Sequence, residues 1–293
     1  MFKQEVRYIG QPISNLNHSG FKRIIVLAPH FVDYLLTLDS IPIGVVSEDD
    51  NGTTLDDCVI PAQQKVISVG TSKLPQLDII KELKPDLILG EAKKHIHLFK
   101  ALDNLAPTIL IKDLSVDWKK ILLFLSHILN KEQIARQKLD ELDEQINMNK
   151  PHFKTFFANK TVLLANVWKK EGLQVHNFDS HLGKILYQQI GLRKPSPLHI
   201  EDKYIGYKYM FPHKLDSIAS INPDILFLFN TVGVKQEEIF KEIEKSSLWN
   251  DLSCVKNDQV YRFGSLKDGN EGRCVRHYTK ILNEISKHVM GVN

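Results

Sequence analysis

Cysteine is scarce and scattered in this chain. Cys58, Cys254 and Cys274 lie far apart with no CxxC spacing. That excludes a disulfide framework and a structural zinc ribbon, and leaves buried free thiols as the expectation. Long apolar runs are also missing. The longest, such as Ile24 to Pro29 and Ile225 to Phe229, have the length of a strand, against the roughly 20 residues that a membrane-spanning helix needs. Met1 to Gly20 lacks the apolar core of a secretory signal, so the expectation is either a signal already removed or a cytoplasmic protein. Charge of one sign is lacking as well. Lys and Arg number 38 against 35 Asp and Glu, a net charge of +3 with no concentrated basic stripe, which excludes nucleic acid as a partner. Finally, there is no GxSxG elbow, no GxxxxGK[ST] loop, no GxGxxG opening a helix and no HExxH pair. The glycines in Asp268 to Arg273 read as a loop. No enzyme is expected.

What the sequence does contain is a globular composition, 43% apolar and 25% charged, over 293 residues, enough for two domains. Lys22 to Ala28, Ser40 to Val46, Val66 to Gly70, Asp86 to Gly90 and Thr108 to Ile111 are short β-branched runs. Helical spacing at Phe31 to Leu38, Pro75 to Leu83 and Ala92 to Leu105 separates them. Strands alternating with helices predict a parallel sheet covered on both faces. The pattern resumes with strands at Thr161 to Val167, Asp224 to Phe229 and Gln259 to Phe263. Helices are expected at His181 to Ile190, Leu215 to Ile221, Gln236 to Glu244 and Gly272 to Lys287, with Gly191 as a stop and a loop over Arg193 to His213.

Between the two patterns, Val116 to Asn149 holds neither Gly nor Pro and repeats apolar residues at helical spacing. One long helix, interrupted once near Asn130, is predicted. Ile80 to Gly90 (IKELKPDLILG) and Ile218 to Phe229 (IASINPDILFLF) share a further pattern: a helix end, Lys-Pro-Asp or Asn-Pro-Asp, then an apolar strand. The same unit in each half predicts two related lobes.

These signals together resemble the siderophore and cobalamin class of ABC-transporter substrate-binding proteins. The resemblance runs in order through Lys22 to Leu27, Leu36 to Val45 (with Asp39 where a glycine is usual), Val69 to Ile80, Lys84 to Gly90, Leu105 to Thr108 and Trp249 to Phe263. It implies an α/β protein of two Rossmann-like lobes bridged by a long rigid helix, with a ligand cleft between the lobes and modest closure on binding. The expected divisions are residues 1–114 for the first lobe, 115–158 for the linking helix and 159–293 for the second. It further implies an iron-siderophore receptor, expected as a monomer, that delivers its ligand to a membrane permease. The receptor would lie outside the cytoplasm, periplasmic or as an anchored lipoprotein.

In an open α/β lobe the ligand sits beyond the carboxyl ends of the strands. The loops expected there are basic and aromatic: Lys73, Lys93, Lys94 and His95, then Trp168, Lys169, Tyr207, Lys208, Tyr209 and His213. The expected ligand set is His30, Lys73, Lys93, Lys94, Asn166, Trp168, Lys169, Tyr207, Lys208, His213 and Asn230, suited to an anionic ferric catecholate or citrate-type chelate. Asn166 and Trp168 stand where catecholate-binding relatives carry arginines, which shifts weight toward stacking and hydrogen bonding. The resemblance places permease-docking carboxylates at Asp78 and Asp216, each Asp where Glu is usual; helix N-terminal stabilisation explains them equally well. No resident cofactor and no direct protein ligand to metal is expected. The 12 histidines form no cluster of metal-ligand spacing, and Lys73 follows Ser72 where haem-binding relatives carry Met or Tyr. The alternative reading is a cytoplasmic siderophore-sensing effector domain of an AraC-type regulator. An upstream helix-turn-helix would favour it, and a lipobox cysteine would favour transport.

Overall fold

A computed structural model describes residues 6–12, 14, 20–47, 66–112, 117–169, 172–176, 180–196, 210–229, 234–263 and 274–290. The chain divides into two compact units, Met1–Leu142 with Lys267–His277, and Asp143–Leu266 with Tyr278–Asn293.

Unit 1 carries a six-stranded sheet in the order β1-β6-β5-β2-β3-β4. Its strands are β1 (Tyr8–Ile9), β2 (Ile24–Val26), β3 (Gly44–Ser47), β4 (Ile67–Thr71), β5 (Leu87–Glu91) and β6 (Thr108–Ile111). All pairings are parallel except β1 with β6. Every residue of β2, β5 and β6 is buried, as expected of short apolar strands covered on both faces. The covering helices are α1 (Phe31–Thr37), α2 (Leu77–Glu82), α3 (Ala92–His95), α4 (Phe99–Asp103) and α5 (Trp118–Ile128). A 3-10 turn, Ile96–Leu98, splits the helix expected over Ala92 to Leu105 into α3 and α4. From β2 the chain steps outward through β3 to β4, then returns to β5 beside β2. The order therefore reverses between β2 and β5, and in open α/β sheets that switch point is where ligands bind.

The expected long helix is broken where foreseen. Asn130 adopts φ 54 between α5 and α6 (Glu132–Phe156), a left-handed value that Asn tolerates. The α5 half packs in unit 1, with Phe124 against Tyr8 at 5.2 Å between ring centroids. The Lys131 ammonium donates to the carbonyls of Leu38 and Asp39, both at 2.7 Å, closing the carboxyl end of α1. The compact units part within α6, between Leu142 and Asp143. Pro151 does not end α6. An internal proline costs about 3 kcal/mol, and burial of Phe153 and Phe157 beyond it holds the last turn in place.

Unit 2 has a five-stranded sheet ordered β11-β10-β7-β8-β9. Here β7 is Val162–Lys169, β8 Gly172–His176, β9 Met210–Lys214, β10 Ile225–Phe229 and β11 Val260–Arg262. β7, β10 and β11 are parallel, whereas β8 and β9 are antiparallel additions. The second sheet is thus Rossmann-like on one side of β7 and mixed on the other. The helices are α7 (His181–Gly183, continuing as a π-helical turn over Lys184–Ile190), α8 (Leu215–Ile221), α9 (Val234–Glu244), α10 (Ser247–Asn250), α11 (Ser253–Lys256) and α12 (Val275–Met290). Tyr187 on the π turn donates to the Val162 carbonyl at 2.9 Å and accepts from the Leu164 N–H at 3.2 Å, tying that turn to β7. Gly191 ends it at φ 88, the left-handed stop expected of it.

The repeated Pro-Asp turn has one conformation in both units. Lys84 and Asn222, each before its proline, adopt φ 45 and 41. Asp86 then accepts from the N–H groups of Lys22 and Arg23 at 2.8 and 2.9 Å, at the entry to β2. Asp224 accepts from the N–H and hydroxyl of Thr161, both at 2.7 Å, at the entry to β7. Each carboxylate thereby joins the start of its own strand to the start of the parallel neighbour.

Candidate functional site

At the carboxyl end of the unit 1 sheet, the segments after β2, β4 and β5 come together. After β2 comes Pro29-His30, after β4 the turn Thr71–Leu74, and after β5 the start of α3. Gly70, at φ +94, has space for no Cβ, since one would stand 2.5 Å from the Leu74 carbonyl oxygen. The turn closes on itself: Thr71 N–H donates to Leu74 O at 3.2 Å and Leu74 N–H to Thr71 O at 3.1 Å. Ser72 and Lys73 form its tip, the serine buried and the lysine exposed. Glu91, the last residue of β5, is buried and draws in His30 and Lys94. Its Oε1 lies 3.5 Å from His30 Nδ1 and 3.2 Å from Lys94 Nζ. His30 and Glu91 stand at the ends of β2 and β5, the two strands between which the sheet order reverses.

His95 locks this arrangement from below. It is fully buried. Its Nδ1 accepts from the Glu91 N–H at 3.1 Å, and its Nε2 meets the Ser72 carbonyl oxygen at 2.9 Å. A backbone N–H can only donate and a carbonyl can only accept, so the ring carries its proton on Nε2. Burial pushes the imidazole pKa down, against the raising effects of the Ser72 hydrogen bond and the Glu91 charge. His95 is therefore neutral. The reading of His95 as one more cation facing an anion is corrected: its charge would be desolvated, and Nδ1 would become a donor facing a donor.

In unit 2 the strand pair β7 and β10 brings Asn166 level with Phe229. His176, on β8, donates from Nε2 to Asn166 Oδ1 at 3.2 Å. Its ring meets Phe229 edge-on at 6.1 Å, and Phe229 stacks on Phe263 at 5.0 Å. The half-buried Asn166 amide thus lies beside aromatic rings, level with the end of β10, and β7 and β10 are the parallel neighbours between which the strand order of this sheet reverses.

The profile of the Periplasmic binding protein family matches residues 41–265. The chain belongs to that family. The Fe(3+)-citrate-binding protein YfmC of Bacillus subtilis is 30% identical over 243 residues, 82% of this chain and 72% of the relative. The Fe(3+) dicitrate-binding periplasmic protein FecB of Escherichia coli is 25% identical, over 82% of this chain and 75% of its own. Among solved structures, the triscatecholate siderophore-binding protein FeuA of Bacillus subtilis, complexed with ferri-bacillibactin, has a similar fold. The TM-score is 0.71 at 19% identity, covering 97% of this chain and 98% of that one. Staphylococcus aureus SirA complexed with staphyloferrin B matches equally, with TM-score 0.71, 19% identity and coverage of 98% and 99%. The family is one of binding proteins, and its fold is two-lobed.

Against this family background, the structure brings four of the expected residues to one end of unit 1: His30, Lys73, Lys93 and Lys94. Lys73, Lys93 and Lys94 are exposed. Trp168 and Lys169 occupy the last positions of β7, and His213 lies within β9, paired with Leu173, where a loop was expected. Tyr207, Lys208 and Asn230 lie outside the described residues. Asp78 and Asp216 are exposed in the first turns of α2 and α8. Their equivalence is closer than the motif alone implied: each precedes its Pro-Asp turn by the same spacing, with Leu77 and Leu215 before them and the buried Ile80 and Ile218 after them. Sequence reasoning gave no role to Glu91, counted His95 only as one basic residue of its loop, and gave no role to His176. The signal for the first two was present in Glu91-Ala-Lys-Lys-His95, where residues three and four apart face each other on a helical turn. Among the described residues no group of three or more His, Cys, Asp and Glu could hold a metal ion, and no helix is long and apolar enough to cross a membrane.

Proposed function

We propose that this chain binds a ferric siderophore or ferric citrate-type chelate and delivers it to the permease of an ABC importer. The observation that carries this reading is the group of nitrogen donors, His30 with the cations Lys73, Lys93 and Lys94, at the carboxyl end of the unit 1 sheet in a periplasmic binding protein. Such an end collects donors for an anion, and charge-assisted hydrogen bonds strengthen as the ligand displaces water. Relatives named for Fe(3+)-citrate binding support the same ligand class. The iron is cargo held by its chelator, so no resident cofactor is needed. Asn166, Trp168, Lys169, Tyr207, Lys208, His213 and Asn230 are the contacts proposed from unit 2. Asp78 and Asp216, exposed at equivalent helix starts, are the carboxylates proposed to meet permease arginines. Relatives named as periplasmic proteins and lipoproteins favour an extracytoplasmic location, free or lipid-anchored, and the receptor is proposed to act as a monomer.

The test is a titration of tryptophan fluorescence with ferric citrate, a ferric tris-catecholate, a ferric hydroxamate and each chelator without iron. Saturable binding of at least one anionic ferric chelate, with weaker binding of its iron-free form, is expected. Equal response to all ligands, or to none, would contradict the reading.

A further inference from the structure

Lys73 sits at the tip of a turn whose own hydrogen bonds fix its shape, but not its position over the sheet. The β3–β4 pairing anchors Thr71 opposite Ser47, and a contact from outside the turn holds its tip, the His95 Nε2–H to the Ser72 carbonyl at 2.9 Å. The same ring, through Nδ1, holds the Glu91 N–H at 3.1 Å. The Glu91 carboxylate in turn holds His30 and Lys94. The end of β5 is shaped to admit this ring: a Cβ on Gly90 would stand 3.0 Å from His95 Nδ1 and 2.9 Å from Leu110 Cδ2. One buried neutral imidazole therefore connects the strand ends of β4 and β5, and through Glu91 that of β2.

We propose that His95 is a positioning residue for anion binding: it sets where Lys73 stands relative to His30 and Lys94. This rests on the ligand class proposed above. His95 does not touch the ligand. It acts through Ser72 and Glu91, and its effect is selective for charge, because the groups it places are cations. A neutral chelate gains little from their exact spacing, whereas an anion bound by several cations at once loses affinity when one of them moves out of hydrogen-bond reach.

The experiment uses the full chain with His95→Ala, His95→Gln, Gly90→Ala and Lys73→Ala, alone and with His95→Ala combined with Lys73→Ala. Affinities are read for ferric citrate and for a neutral ferric hydroxamate. Truncation to Ala is expected to weaken ferric citrate about tenfold, the scale of one charge-assisted hydrogen bond, and to leave the hydroxamate unchanged. Gln can still donate to the Ser72 carbonyl and should restore most of the affinity. Gly90→Ala, which crowds the ring, should behave like His95→Ala. Once Lys73 is gone, removing His95 should cost ferric citrate little more. Equal losses for both chelates, or full additivity of the two substitutions, would reduce His95 to a fold-stabilising residue and overturn the proposal. A ligand-free reading accompanies these. The ring nitrogen NMR shifts of the parent should show the Nε2–H tautomer at neutral pH, and His95→Gln should leave the amide shifts of Ser72 to Leu74 close to the parent's while His95→Ala moves them. An Nδ1–H tautomer or an imidazolium overturns the proposal. Should the parent bind no ferric chelate while these shifts behave as expected, the ligand class fails and the positioning role stands.

Discussion

At the scale of single residues, the two histidines of unit 1 show how position decides chemistry. His30 is nearly buried, with its Nδ1 3.5 Å from the Glu91 carboxylate. His95, four residues beyond the same glutamate, is sealed from water and already has both ring nitrogens committed. Its lowered pKa makes a stability prediction with a definite sign. The unfolded chain takes up a proton near the ordinary histidine value of about 6.5, while the folded ring resists it. The stabilisation is therefore fully present above that value and is lost as pH falls from it toward the folded pKa. Melting curves from neutral pH to mildly acidic pH should show the parent losing more stability than His95→Gln, which has no ring to protonate. Identical slopes would mean that His95 is not held neutral. Asp39 is instructive in another way. It occupies a position where the resembling family uses glycine, and its φ of 48 supplies the reason, a left-handed turn that glycine enters freely and Asp tolerates.

At the scale of elements, the Pro-Asp turns are the clearest repeated device. Asp86 and Asp224 each receive hydrogen bonds from the segment that opens the neighbouring strand, and the Asp224 pKa is lowered chiefly by the Thr161 N–H and then by its hydroxyl. Replacing either by Asn keeps the shape and removes the charge. Each change is expected to lower stability by about 1 kcal/mol, since Asp224 is exposed and Asp86 only half-buried. Because the residues belong to different units, the double variant should be additive in chemical denaturation. A strongly non-additive result would contradict two independent turns. These turns were legible in the sequence because Pro, Asp and an apolar run act locally. So were β2, β5 and β6, whose residues are all buried and so read as unbroken apolar runs. β8 and β9 were not legible. Their partners are each other and β7, and Pro212 within β9 argued for a loop, although an edge strand accepts proline. Pro151 lies beyond the Val116 to Asn149 run yet within α6, where the packing of Phe153 and Phe157 outweighs a local rule. His95 was read as a cation for a related reason: the sequence shows a basic run, Lys93-Lys94-His95, and only the fold shows that the third member turns inward.

At the scale of the whole molecule, the account rests on a charge complementarity between a basic sheet end and an anionic iron chelate. Glu91 offsets part of that charge by holding Lys94, whereas Lys73 and Lys93 stand exposed at the same end of unit 1. Both are exposed, where an ion pair is worth little; covered by a bound chelate they become desolvated, where a charge-assisted hydrogen bond contributes roughly 1.5–3 kcal/mol. The most direct measurement is the affinity of Lys73→Ala and Lys93→Ala for a ferric tris-catecholate, ferric citrate and a neutral ferric hydroxamate, each compared with the parent chain. The account predicts a loss of about ten- to hundredfold for the anionic chelate that the parent binds, with little change for the neutral one. Unchanged affinity for every anionic chelate in both variants would contradict it, and would leave those lysines as solvated surface.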